Sequence, residues 1–312
     1  MHKYNLVLFC KSYRGDIKRI KLLKDSIDKF NADKIPFVVC CPKSDDELFE
    51  KTLRNNHETY DFIIVHDEDV LNANNIEPNA IQNWKSQQII KLGFYKMGLC
   101  NHYTIYDSDC YFIADFHIDD FMYNDDTPYL IMTENLNPNT NHLFIKNYFK
   151  RHGRTYDFVH MSQVFSFDVL SDMEKNLLQK NNLTFIDLIN MYPYEFNWYG
   201  EYLLSMGGGG EHPIIPAISK LRRYDYQEDY VLDRHRGIRV KDLINMGYNG
   251  FIMQSGWLNR YVYHDPWYGK LARIKRNVFF KIHSGHKPGI FRKLLLIFYK
   301  IPTWTIREMF KD

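Results

Sequence analysis

Asp107 and Asp109, separated only by Ser108, are the residues whose types and spacing point most directly to chemistry. They fall late in the run from Tyr103 to Ile113, whose β-branched and aromatic residues predict a strand. Alternate residues of an extended backbone point the same way, so both carboxylates can address one partner. Held that close, two carboxylates repel each other unless a cation sits between them. A divalent ion with oxygen ligands, itself holding a diphosphate, suits the pair. The plainer reading is a strand that ends in a solvated acidic turn.

Such a pair needs a sheet that presents it, because ligands of open α/β sheets bind beyond the carboxyl ends of the strands. Asn5 to Cys10 reads as a buried first strand, followed by a polar turn from Lys11 to Asp16. Ile17, Ile20, Leu23, Ile27 and Phe30 recur at a helical period. Ile35–Cys41 and Tyr60–His66 predict two more strands, with a short helix over Asp45–Leu53 between them. Strands alternating with helices indicate an α/β fold with a mainly parallel, mixed sheet flanked by helices.

Farther on, residues 70–80 read as an Asn-rich loop and Gln82–Leu99 as a helix. The acidic stretch Asp115–Asp126 reads mostly as solvated loop. Tyr129–Thr133 predicts a strand, and the Asn and Pro clustering over 135–154 an insertion or mobile loop. Phe158–Phe167 resembles a strand, and helices are expected over Val169–Leu178, Thr184–Met191 and Glu195–Met206. The last of these closes on the four glycines 207–210. Lys220–Arg239 is polar and charged, Gly250–Ser255 a final strand, and Trp257–Gly269 an aromatic-rich loop.

At 312 residues the chain can bury a large core, and its 45% hydrophobic and 25% charged content is ordinary for a globular protein. Aromatic residues reach 16%, a surplus compatible with stacking on carbohydrate or nucleobases. Five cysteines without CxxC spacing argue against a disulfide framework or a zinc site. The start of the chain shows no signal-peptide core, and no apolar run reaches the ~18 residues of a membrane span. From Lys270 onward basic residues alternate with Leu294–Tyr299 and Trp304, a pattern that reads as a helical tail lying on anionic lipid. Its alternative is a helix packed back on the core. Nucleic acid is not expected as a partner, because the basic residues gather in this one tail among large apolar ones.

With these residues in place, the chain resembles the GT-A class of nucleotide-sugar glycosyltransferases, and in particular GT-A-like proteins of bacterial surface-polysaccharide loci. Four stretches carry the likeness: Cys10 to Asp16, Trp84 to Leu92, Tyr106 to Asp109, and Glu195 to Gly200. The resemblance covers about residues 4–205 and implies a GT-A-like catalytic domain over 1–269. Residues 1–115 would form its nucleotide-binding half and 116–269 its acceptor half, with 270–312 as the basic tail.

The resemblance further implies that Ser12, Tyr13 and Asp16 meet the nucleoside, with Asp69 or Asp67 near the base. Gln87 and Lys91 share a helix face, an amide and an ammonium suited to a sugar hydroxyl and a phosphate. In this class Asp109 would bind the metal (Mn2+ or Mg2+) most directly, Asp107 would bind metal or ribose, and His264 would complete the shell with His160 in reserve. For an inverting transfer the base that deprotonates the acceptor would be Glu195, with Glu201 and Asp229 behind it; a retaining enzyme would need no such base in that place. Each has a plainer reading: a turn residue for Tyr13, a solvated face for Gln87 and Lys91, a packed or surface residue for His264, and a helix-dipole acid for Glu195.

The function expected is transfer of a sugar from a nucleotide diphosphate donor to a capsule, O-antigen or lipooligosaccharide acceptor. The place expected is the cytoplasmic face of the cell membrane. Two alternatives stay open. A nucleotidyltransferase would share the sheet and paired acids but lacks here its Gly-rich basic loop after the first strand. A non-catalytic glycan- or lipid-binding scaffold would keep the fold without turnover.

Overall fold

A computed structural model describes residues 3–55, 59–78, 84–207, 212–225, 233 and 236–254. Asp229, His264 and the tail 270–312 therefore lie outside the described residues. In chain order the first half holds β1 (Tyr4–Lys11), α1 (Ile17–Phe30), β2 (Phe37–Cys41), α2 (Asp46–Leu53), β3 (Phe62–His66) and α3 (Asp67–Ala73). Next come α4 (Trp84–Gly93), β4 (Cys100–Tyr106), β5 (Cys110–Phe112), β6 (Tyr129–Ile131), β7 (Thr133–Glu134) and α5 (Thr140–Tyr148). The remainder is β8 (Tyr156–Asp157), β9 (Val164–Ser166), α6 (Phe167–Met173), α7 (Phe185–Met191) and α8 (Glu195–Ser205). Strands β10 (Ile215–Ala217), β11 (Leu221–Tyr224) and β12 (Gly250–Met253) close the described chain, with α9 (Val240–Asn245) before the last.

The chain divides into two compact units, and the larger takes in residues 1–17, 31–108 and 115–220. Its central sheet has the order β3-β2-β1-β4-β9, parallel throughout except for the antiparallel pair β4–β9. Leu6 to Cys10 and Phe37 to Cys41 are buried without alternation, as a strand covered on both faces requires. Each such side chain contributes about 1.5–3 kcal/mol of burial. Helix α4 lies against β1 and packs on α3, α7 and α8, while α6 covers β4 and β9. Because β2 and β4 flank β1 on opposite sides, the sheet reverses its strand order between β1 and β4. That switch point is where open α/β sheets take ligands.

Among the described residues, the smaller unit comprises 18–30, 109–114 and those between 221 and 254. It has its own sheet, β11-β12-β5, and a core of Ile113, Tyr224, Leu243, Phe251 and Met253. Ser26 of α1 bonds into β5, its hydroxyl accepting the Phe112 N–H at 3.1 Å.

Several expectations change. The single strand over Tyr103–Ile113 is two strands in two sheets, β4 and β5, and Asp107 to Asp109 is the link between them. Strand alternation therefore does not orient the two acids. The loop over 70–80 gives up its start to α3, whose first turn carries Asp67, Glu68 and Asp69, acids that suit a helix N-terminus. The insertion over 135–154 contains a helix, α5, that buries Ile145. The helix over Gln82–Leu99 stops at Gly93, passes through a 3-10 turn and ends at Gly98 with φ +64°. Polar 220–239 supplies β11, parallel to β12.

Helix α8 is buried along most of its length. Tyr199 stacks on Phe165 at 4.2 Å and its hydroxyl accepts the Ser166 N–H, which seats α8 on β9. Gly200 lies directly under the Phe158 ring, where a Cβ would collide with it.

Candidate active site

Three segments of the larger unit meet at the switch point. The carboxyl ends of β1 and β4 lie side by side, Cys10 in register with Tyr106. Beyond β1 the chain turns through Ser12, Tyr13 and Asp16, and beyond β4 it gives Asp107 and Ser108. Ser108 ties the two ends together, its hydroxyl donating to Asp16 Oδ2 at 3.1 Å. Ser12 is 1% exposed and its hydroxyl has no hydrogen-bond partner among the described residues, an orphan polar atom at the base of this turn. An unmet hydroxyl that deep costs about 1–3 kcal/mol, which a ligand group could recover. Tyr13, at 43% exposure, lays its ring over Gly15.

Helix α4 contributes the strongest charge. Lys91 is buried, with Nζ 2.9 Å from Asp107 Oδ1 and 3.1 Å from Glu195 Oε1. Gln88, one turn earlier, faces the same carboxylate at 2.5 Å, an arrangement that makes its NH2 group the donor. The Tyr103 hydroxyl donates to the Lys91 carbonyl at 2.6 Å and fixes that turn of α4 to β4. Burial alone would lower the Lys91 pKa, but the Asp107 and Glu195 carboxylates outweigh it, so the ammonium is held charged with its pKa raised. Burial raises the Glu195 pKa, and Lys91 offsets only part of that.

The candidate residues thus separate. Ser12, Asp16, Lys91, Asp107 and Glu195 come together. Gln87 is half-buried and makes no bond to this set; Gln88, at i, i+3 from Lys91, takes the place foreseen for it. Asp69 pairs instead with His66, Oδ2 to Nδ1 at 3.2 Å, and Asp67 binds the buried Lys11 at 2.9 Å. Glu201 is 1% exposed and held by both Nε and Nη2 of Arg151, the latter at 2.8 Å. It is a fully neutralised carboxylate inside α8. His160 binds Thr133 Oγ1 at 3.2 Å. In the smaller unit, the Asp109 carbonyl accepts the Met253 N–H at 3.0 Å and anchors the start of β5 to β12. Ser108 has no role in the sequence reading, and Gln88 stands there in one set with Gln87 and Lys91 without a role of its own; the i, i+3 spacing to Lys91 is the signal that sets it apart from Gln87.

For a divalent cation the donor chemistry fits in part. Lys91 takes only Oδ1 of Asp107, whose side chain is 40% exposed, so the second oxygen can face a hard cation. Among the described residues no group of three or more His, Cys, Asp or Glu is placed to hold a metal.

The chain belongs to a family of unknown function (DUF6492), whose pattern matches residues 1–168. No curated protein matches it. Among solved structures it is similar to mouse xyloside xylosyltransferase 1 in its apo form, with 10% identity over 81% of this chain and 98% of that one, at a TM-score of 0.44. It is also similar to a galactosyltransferase, LgtC, in complex with donor and acceptor sugar analogs, with 13% identity over 78% of this chain and 86% of that one, again at 0.44. At such identities only the course of the chain is being compared.

Proposed function

We propose that this protein is a glycosyltransferase that moves a sugar from a nucleotide diphosphate donor to a hydroxyl of a surface-glycan acceptor. The observation that supports it best is the gathering of the Ser12–Asp16 turn, Asp107–Ser108 and the Gln88–Lys91–Glu195 set at the strand switch point. The turn offers an orphan hydroxyl and a tyrosine ring to a nucleoside. The buried ammonium and its two carboxylates offer a fixed donor and fixed acceptors to the hydroxyls of a sugar.

In the reaction assigned, an acceptor oxygen bonds to the anomeric carbon while the bond from that carbon to the diphosphate breaks. Glu195, whose basicity burial increases and whose orientation Lys91 and Gln88 hold, takes the acceptor proton. A divalent cation, when bound, would stabilise charge on the departing diphosphate, and Asp107, with one carboxylate oxygen left by Lys91, would help to hold it. The basic tail is assigned by composition to the inner membrane surface.

Isothermal titration with nucleoside diphosphates and nucleotide sugars, with and without Mn2+, tests this. Metal-linked affinity for diphosphates is expected. A preference for triphosphates would point to nucleotidyl transfer, and absence of any nucleotide binding to a scaffold.

A further inference from the structure

Away from the switch point, α5 and the segments beside it form a surface that combines exposed apolar side chains with positive charge. Leu136 is 81% exposed, Leu143 39%, Phe144 37% and, at the end of α7, Met191 38%. The Phe144 and Tyr192 rings pack with centroids 4.3 Å apart and planes tilted by 40°, which brings the end of α7, where Met191 lies, next to α5. From Leu136 to Arg154 the chain carries Lys146, Lys150, Arg151, Arg154 and two histidines, and no acidic residue. Arg151 is consumed by Glu201, and Lys146 turns back to Thr155. Among the described residues Lys150 makes no ion pair, and the Arg154 pair with Glu134 is exposed on both sides, which makes it weak.

We infer that this face rests on an anionic lipid bilayer, with Leu136, Leu143, Phe144 and Met191 dipping into the headgroup boundary and Lys150 and Arg154 meeting lipid phosphates. Basic charge bordering exposed aliphatic and aromatic residues is the composition that interfacial binding uses. Other occupants fit less well. The tail from Lys270 is itself strongly basic and would be repelled, as would the same face of a second copy. A glycan would stack on Phe144 and Tyr192 but has no use for Leu136, Leu143 and Met191, which offer it no hydrogen bonds. Together with the tail this face gives two weak membrane signals, the number that stable peripheral attachment needs.

The test is co-sedimentation of the full chain with phosphatidylcholine vesicles, with and without phosphatidylglycerol. Two variants are compared with the parent: Leu136→Ser/Leu143→Ser and Lys150→Glu/Arg154→Glu. All four positions are exposed, and unchanged circular dichroism controls for folding. The charge variant should lose at least about tenfold in partitioning to anionic vesicles alone. The apolar variant should lose severalfold on them as well. Parent-like binding by both variants overturns the inference and leaves the tail as the sole anchor; a parent that does not prefer anionic vesicles overturns it too. Nucleoside diphosphate affinity should be the same in parent and variants, so this surface and the transferase reading fail separately.

Discussion

Lys91 Nζ bridges Asp107 and Glu195, 2.9 Å from the first and 3.1 Å from the second, although 91 and 195 are far apart in the chain. One ammonium thereby joins the end of a central strand to the start of α8. Lys91→Met should destabilise the fold by about 3–5 kcal/mol, because it strands a buried carboxylate. Donor affinity should fall with it. Chemical denaturation and calorimetry read the two effects, and a variant as stable as the parent would remove Lys91 from the centre of the site.

Asp109→Ala should abolish transfer while leaving the melting temperature within a few degrees of the parent. Turnover near the parental rate would refute the metal role that the resemblance implies for Asp109.

Glu201 and Arg151 form a closed buried pair, so neither is expected to touch substrate. Arg151→Met alone should cost about 3–5 kcal/mol, and Arg151→Met/Glu201→Leu should recover most of it. A double variant as unstable as the single one would contradict the pairing.

His66 lies between two carboxylates, Nε2 3.0 Å from Asp46 and Nδ1 3.2 Å from Asp69, and the hydrogen bond to Asp46 is the main reason its pKa is raised. A raised folded pKa gives stability that is complete below the unfolded value of 6.5 and is lost as pH climbs through the folded one. His66→Gln should flatten that loss, on the order of 0.5–1 kcal/mol, in denaturation curves taken upward from pH 6.5.

His102 behaves oppositely. Burial lowers its pKa to about 4, and Nδ1 has no partner among the described residues. The folded state therefore resists protonation, and stability should fall as pH drops from 6.5 toward 4, by about 3 kcal/mol in all. His102→Leu should remove that acid limb; an unchanged limb would place its origin elsewhere.

The sheet was legible because β1, β2 and β3 are unbroken apolar runs bounded by Pro, Asp and turn residues, a pattern that only doubly covered strands require. What the sequence hid was the break at Asp107, since β4 and β5 share one composition and nothing local marks the change of sheet. Helix α5 was hidden by its Asn-rich lead-in, and α3 by the same Asn signal, which reports turn chemistry even where acids start a helix. In the site, Lys91 and Glu195 could be nominated by type, but their partnership depends on α4 meeting α8, a tertiary contact with no sequence signature. Gln87 and Gln88 are equal in composition; only the rotation of α4 in the structure selects Gln88.

Gly200 carries a consequence beyond packing. Because Phe158 occupies the volume that any side chain there would need, position 200 tolerates hydrogen alone unless α8 tips away from the ring. The same tilt would swing Glu195, at the N-terminal end of the helix. A methyl group five residues from the proposed proton acceptor would thus act as a lever, misaiming that carboxylate without touching it.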